Sequence, residues 1–166
     1  LDFIKEELTA KNGSFYSSLD ADSKNEQAEK EEGAYYQWKE EELKQLLKSD
    51  FNLFKEFYNI NDYGLWENGK YILIRNNSKE EFAKENNMTL AALNTLISKW
   101  KKVLKETRNK RNKPNLDDKV LTSWNALMTQ GYIDAYRAFG NIEYKEFAIK
   151  NGNFLLEHQL RKDGGL

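Results

Sequence analysis

Apolar residues recur three and four positions apart over most of this chain, and a single proline, Pro114, interrupts it. Such spacing gives each segment one face for a core and one for solvent, which is the pattern of amphipathic helices. The longest stretch starts at Thr89 and is predicted to run to about Arg111, with Leu93, Leu96, Ile97, Trp100 and Leu104 on one face and Pro114 closing it. Ser78 and Glu81 have the spacing of a capping box, so a helix should begin there and end at Asn86-Asn87. Other helices are expected over residues 1–11, stopped by Asn12-Gly13, and over residues 39–48, carrying Leu43, Leu46 and Leu47. Asp50 is expected to cap a helix bearing Phe51, Phe54, Phe57 and Tyr58, and Asp117 or Asp118 to open one ending near Gly140. The last, over residues 143–159, should turn Tyr144, Phe147, Ala148, Phe154 and Leu155 inward.

Between these helices lie shorter, aromatic segments. Residues 13–18 and 33–38 each begin with glycine, carry aromatic rings and flank a charged stretch, which suggests a small hairpin with an extended tip. Residues 70–75 form the best single strand candidate. The predicted fold class is therefore mainly α, made of helical hairpins with one or two small β-hairpins inserted.

The 166 residues fit one domain, and aromatic residues at 13% compensate for a low apolar content. Charges nearly cancel, with 26 Lys and Arg against 27 Asp and Glu, so there is no global attraction to nucleic acid or anionic membrane. The chain has no cysteine, which removes disulfides, thiolate metal sites and cysteine nucleophiles from consideration within it. No signal-peptide pattern opens it, and no apolar run approaches the ~20 residues of a membrane helix. A cytoplasmic location and no membrane partner are the expectations. The chain enters a helical pattern at once and stops on Gly164-Gly165-Leu166, so it reads as a single partial domain, residues 1–166, truncated at both ends.

Four groups of residues could carry chemistry. Asp20 and Asp22 lie directly after Phe15-Tyr16; as a calcium loop the stretch fails, because Lys24 and Asn25 fill positions that need an oxygen ligand and a glycine. Asp117-Asp118-Lys119 leads to Trp124-Asn125, and a buried asparagine inside a helix demands specific partners for its amide. The basic run from Lys99 to Lys113, opposed only by Glu106, spreads around its helix and reads as a solvated face, not a nucleic-acid site. His158 is the only histidine, which leaves no histidine pair for catalysis or metal binding. No metal and no cofactor are expected.

Three ordered motifs carry a family resemblance: residues 13–23 (GSFYSSLDADS), residues 32–38 (EGAYYQW), and Arg108-x-x-Arg111-x-x-Pro114-x-x-Asp117-Asp118-Lys119 running on to Trp124-Asn125. Together they resemble the middle of the YyaL-like, spermatogenesis-associated protein 20 family. Its members combine a thioredoxin-like domain with an (α/α)6 toroid related to N-acylglucosamine 2-epimerases and six-hairpin glycosidases. The resemblance implies that this chain matches the first half of the toroid, without the thioredoxin-like domain. Ser14 and Ala126 stand where the family pattern has glycine.

The resemblance further implies that residues 15–23 and 117–125 converge on an acidic, aromatic-walled hollow that binds a sugar or sugar-like molecule. Asp20, Asp22, Asp117 and Asp118 are the candidate catalytic carboxylates, and Tyr16, Lys119, Trp124 and Asn125 the candidate ligand-binding residues. Any enzyme would be glycosidase-like or sugar-isomerase-like and incomplete in this chain. The alternative is a non-catalytic scaffold supporting a thioredoxin-like redox partner domain, with Arg108 and Arg111 joined to the aspartates in a structural ionic network. Truncation of a ring also predicts an exposed apolar face around Phe147, Phe154 and Leu155, and self-association through it.

Overall fold

The structure, a computed structural model, describes residues 1–165. Among them are seven α-helices: α1 (Asp2–Glu7), α2 (Glu40–Leu47), α3 (Phe51–Phe57), α4 (Lys79–Glu85), α5 (Leu90–Arg108), α6 (Thr122–Phe139) and α7 (Ile142–His158). Six short strands form three antiparallel pairs, so the chain is mainly α with small β pairs inserted, the parts from which a partial ring of helical hairpins is built. No described helix is long and apolar enough to cross a membrane.

The residues group into two compact units. One comprises Leu1–Asp20 and the residues from Asn115 on; the other is Ala21–Pro114.

In the first unit α6 and α7 form a helical hairpin. Gly140 ends α6 at φ +68°, a left-handed conformation that glycine adopts without strain, and Asn141 caps α7 by accepting the Glu143 N–H. Tyr132 of α6 lies stacked between Phe15 and Phe147, with ring centroids 5.5 and 5.3 Å away. Ala148 completes this core, and Ile4 of α1 packs on it. Residues 13–15 run close against α7. Gly13 is required there twice over: its φ is +94°, and a Cβ would come within 2.5 Å of the Lys150 side chain. The strand β1 (Ser18–Leu19) pairs with β6 (Leu116–Asp117), Ser18 opposite Asp117.

The second unit surrounds Trp100, which is fully buried in α5. Phe54 meets it edge-on at 5.4 Å, and Leu43, Phe57, Ile60, Phe82, Leu93 and Ile97 complete the core. Burial of this many large apolar side chains, each contributing about 1.5–3 kcal/mol, is the main term holding the unit together. The Ser78–Glu81 capping box forms as its spacing implies, and Thr89 caps α5 through the Ala92 N–H. The strand β2 (Asp22–Lys24) pairs with β3 (Lys30–Glu32), and β4 (Trp38–Lys39) with β5 (Lys70–Tyr71).

The structure departs from the sequence expectations in several places. The two aromatic segments do not pair with each other. The charged stretch between them makes the hairpin itself, while residues 18–19 and 38–39 find separate partners far along the chain. Asp117 and Asp118 do not cap α6. Asp117 lies in β6, and α6 starts later, at Thr122. Asp50 makes no cap bond either; its carboxylate accepts from Trp100 Nε1 at 3.2 Å and Lys99 Nζ at 2.7 Å. A buried indole donor without water needs an acceptor, and this one outcompetes the helix end. Of the apolar face expected around residues 147–155, Phe154 is buried and Phe147 and Leu155 half-buried. Exposed apolar side chains lie instead on the opposite sides of the two helices, at Leu127, Ile149 and Leu156.

Candidate functional site

In the first unit the β1–β6 pairing draws two distant acidic stretches together. The Asp20 N–H donates to the Asn115 carbonyl at 2.8 Å, and Ser17 donates from its backbone (3.3 Å) and its hydroxyl (3.1 Å) to the Asp117 carbonyl. Residues 17–20 and 115–117 therefore meet, a shorter stretch than the 15–23 and 117–125 that the resemblance implies. Asp20, Asp118 and Lys119 are exposed, while Tyr16 and Asp117 are half-buried. Lys119 Nζ reaches Asp117 Oδ2 at 2.9 Å, and this hydrogen bond holds the Asp117 carboxyl below the usual carboxylate range. Asp117 is thus an anion at neutral pH, able to accept hydroxyl protons and unsuited to donate one.

Trp124 and Asn125 are adjacent in α6 and point to different environments. Trp124 is 53% exposed, presenting its indole to solvent. Asn125 is fully buried, and its amide is satisfied inside the protein. Its Oδ1 accepts from the Phe15 N–H at 2.7 Å and Asn151 Nδ2 at 2.8 Å, while its Nδ2 donates to the carbonyls of Phe15 (2.9 Å) and Leu121 (3.0 Å). The Phe15 pair is a strand-like exchange made by a side chain. It pins the segment before β1 onto α6, and so sets where Tyr16 and Asp20 lie. Asn151 continues the network, donating to the Gly13 carbonyl and accepting from the Thr129 hydroxyl at 2.6 Å. Sequence reasoning did not single out Asn151. The available signal was an asparagine between Ala148 and Phe154 at core spacing on α7.

The chain is similar to spermatogenesis-associated protein 20. Identity to the human protein is 29% over 178 residues, covering 95% of this chain, and to the mouse protein 28% over 185 residues, covering 99%. An uncharacterised protein of Caenorhabditis elegans is 31% identical over 169 residues, 90% of this chain. The chain spans about a quarter of each relative, 23% of its length. No known family profile matches it.

The remaining candidates lie in the second unit. Asp22 is half-buried in β2, in register with Glu32. Arg111 does form a structural network, with Glu42 in place of an aspartate. One terminal nitrogen donates to both Glu42 oxygens at 2.8 Å, the other to the carbonyls of Tyr35 (3.1 Å) and Gln37 (2.6 Å), and the guanidinium stacks 4.0 Å from the Trp38 ring centre. The Arg108 guanidinium packs on Tyr35 and Tyr36 at 5.2 and 5.4 Å. No group of three or more metal-ligating side chains is found among the described residues.

Proposed function

We propose that this chain is part of a carbohydrate-binding domain of the (α/α)6 toroid kind, and that residues 15–20 and 115–125 supply part of its sugar-contacting surface. The supporting observation is the antiparallel pairing of Ser18–Leu19 with Leu116–Asp117, beside which Asp117, Asp118 and Trp124 stand together on one stretch of chain. An exposed indole can pack against the apolar face of a pyranose while ionised carboxylates accept hydroxyl protons. In this reading Asp20, Asp117, Asp118, Lys119, Tyr16 and Trp124 are the contact candidates. Asn125 acts by holding the Phe15 segment. The lysine beside Asp117 keeps it ionised, which suits it to accept hydroxyl protons and not to be the proton-donating acid of a glycoside cleavage.

The test is a titration of the full-length protein with neutral mono- and oligosaccharides, followed by tryptophan fluorescence and thermal shift. Saturable binding that is lost in Trp124→Ala and weakened in Asp118→Asn is the expected result. No response to any sugar, or one that survives both substitutions, would remove the proposal. The second reading, a non-catalytic scaffold beside a thioredoxin-like redox domain, is favoured by the satisfied Asn125–Asn151 and Arg111–Glu42 networks. It predicts no sugar response and loss of stability from substitutions at those residues.

A further inference from the structure

The second unit contains a hollow of about 380 Å³ whose walls differ in character. One wall is α5, where Lys101, Lys105 and Arg108 follow one another at four- and three-residue spacing and so share a helix face. The other is formed by Trp38, Tyr58 and Leu73. The volume falls within the range of small-molecule sites.

Arg108 is the unusual member. Its Nε is buried and has no hydrogen-bond partner. Basic residues in the last turn of a helix offset the helix dipole, which explains positive charge at this end of α5. It does not explain a guanidinium with one nitrogen buried and unsatisfied, which costs free energy unless a partner supplies compensating interactions. Packing against Tyr35 and Tyr36 orients the guanidinium plane, so little side-chain freedom remains to be lost on binding. Burial holds the Tyr58 phenol above its ordinary pKa, so it lines the opposite wall as a neutral ring with a hydroxyl.

From this juxtaposition we infer that the hollow between α5 and the Trp38–Tyr58 wall binds a small phosphate monoester carried on a ring. The phosphate meets Arg108 and Lys101, and the ring lies along Trp38, Tyr58 and Leu73. The inference is independent of the sugar-surface reading, because a different unit and different residues carry it. A planar guanidinium suits a phosphate's oxygens, and an anion without an apolar body leaves the aromatic wall unused.

The experiment is NMR titration of the chain with phenyl phosphate and glucose 6-phosphate, with glucose and inorganic phosphate as comparisons. Both esters should bind saturably and shift the Trp38 indole and the Tyr58 and Leu73 amides, with inorganic phosphate and glucose about tenfold weaker or more. Arg108→Gln should weaken the esters by about tenfold or more, as loss of a hydrogen bond to a charged group implies. Lys102→Gln, on α5 but outside the hollow, should change nothing. If Arg108→Gln disturbs the fold, Lys101→Gln carries the comparison and should weaken binding about threefold. Failure of both esters to saturate, shifts mapping away from the hollow, or equal affinity in wild type and the folded pocket variant would each overturn the inference. Glucose 6-phosphate binding without phenyl phosphate binding would overturn it too, since the site would then be reading hydroxyls.

Discussion

Replacing Asn125 with alanine separates an architectural role from a ligand-contacting one. The substitution strands the Phe15 N–H, the Phe15 carbonyl and one Asn151 donor, all in a region where Asn125 and Asn151 have no exposure and Phe15 has almost none. Each buried group left unpaired costs about 1–3 kcal/mol. Some relaxation will admit water, so the loss should be near 4 kcal/mol, a large fraction of the 5–15 kcal/mol typical of a domain. Urea unfolding followed by far-UV circular dichroism measures it, and exchange of the Phe15 amide with deuterium localises it. Asn125→Asp sharpens the test, because it keeps the oxygen that accepts from Phe15 and Asn151 but sets a second oxygen against the Phe15 carbonyl where Nδ2 now donates at 2.9 Å. A loss below about 1 kcal/mol in the alanine variant, with the Phe15 amide still protected, would refute the reasoning.

Other substitutions probe the second unit. Arg111→Lys keeps the charge but cannot reach two carbonyls and Glu42 together, and should lower stability by about 2 kcal/mol in the same unfolding assay. Ser78→Ala removes the side-chain half of the α4 capping box and should cost about 1 kcal/mol, read as a lower thermal midpoint. The hydrogen bond from Lys99 holds the Asp50 carboxyl below its ordinary pKa, so its stabilising share is complete above the usual carboxylate value and is lost as pH falls through the depressed one. Asp50→Asn should therefore show a flatter loss of stability on acidification than wild type. Asp50→Ala should be less stable than Asp50→Asn at neutral pH, because it leaves the Trp100 indole N–H unpaired.

What could be read from the sequence was local. The α4 cap, the Thr89 start of α5 and the inward face of α7 depend on residues within a few positions of one another, and all appear as expected. Side chains with two competing uses were not legible. Asp50 could serve the helix beside it or an indole fifty residues away, and Asp117 could open a helix or join a strand with Ser18. The aromatic segments flanking the charged hairpin likewise suggested mutual pairing, but long-range partners for Ser18-Leu19 and Trp38 separated them. The convergence of residues 15–20 with 115–125 was expected only from the family resemblance, and the hydrogen bonds that enforce it involve Asn125 and Asn151, residues whose importance rests on burial.

Tyr132 offers a way to watch the first unit open. Its ring is held between Phe15 and Phe147 and its hydroxyl has no partner, so burial pushes the phenol up to about 12. In an alkaline titration its phenolate absorbance is delayed until the aromatic stack parts. A late step in the ultraviolet spectrum, missing from Tyr132→Phe, makes this one side chain a built-in optical gauge of whether the α6–α7 hairpin is closed.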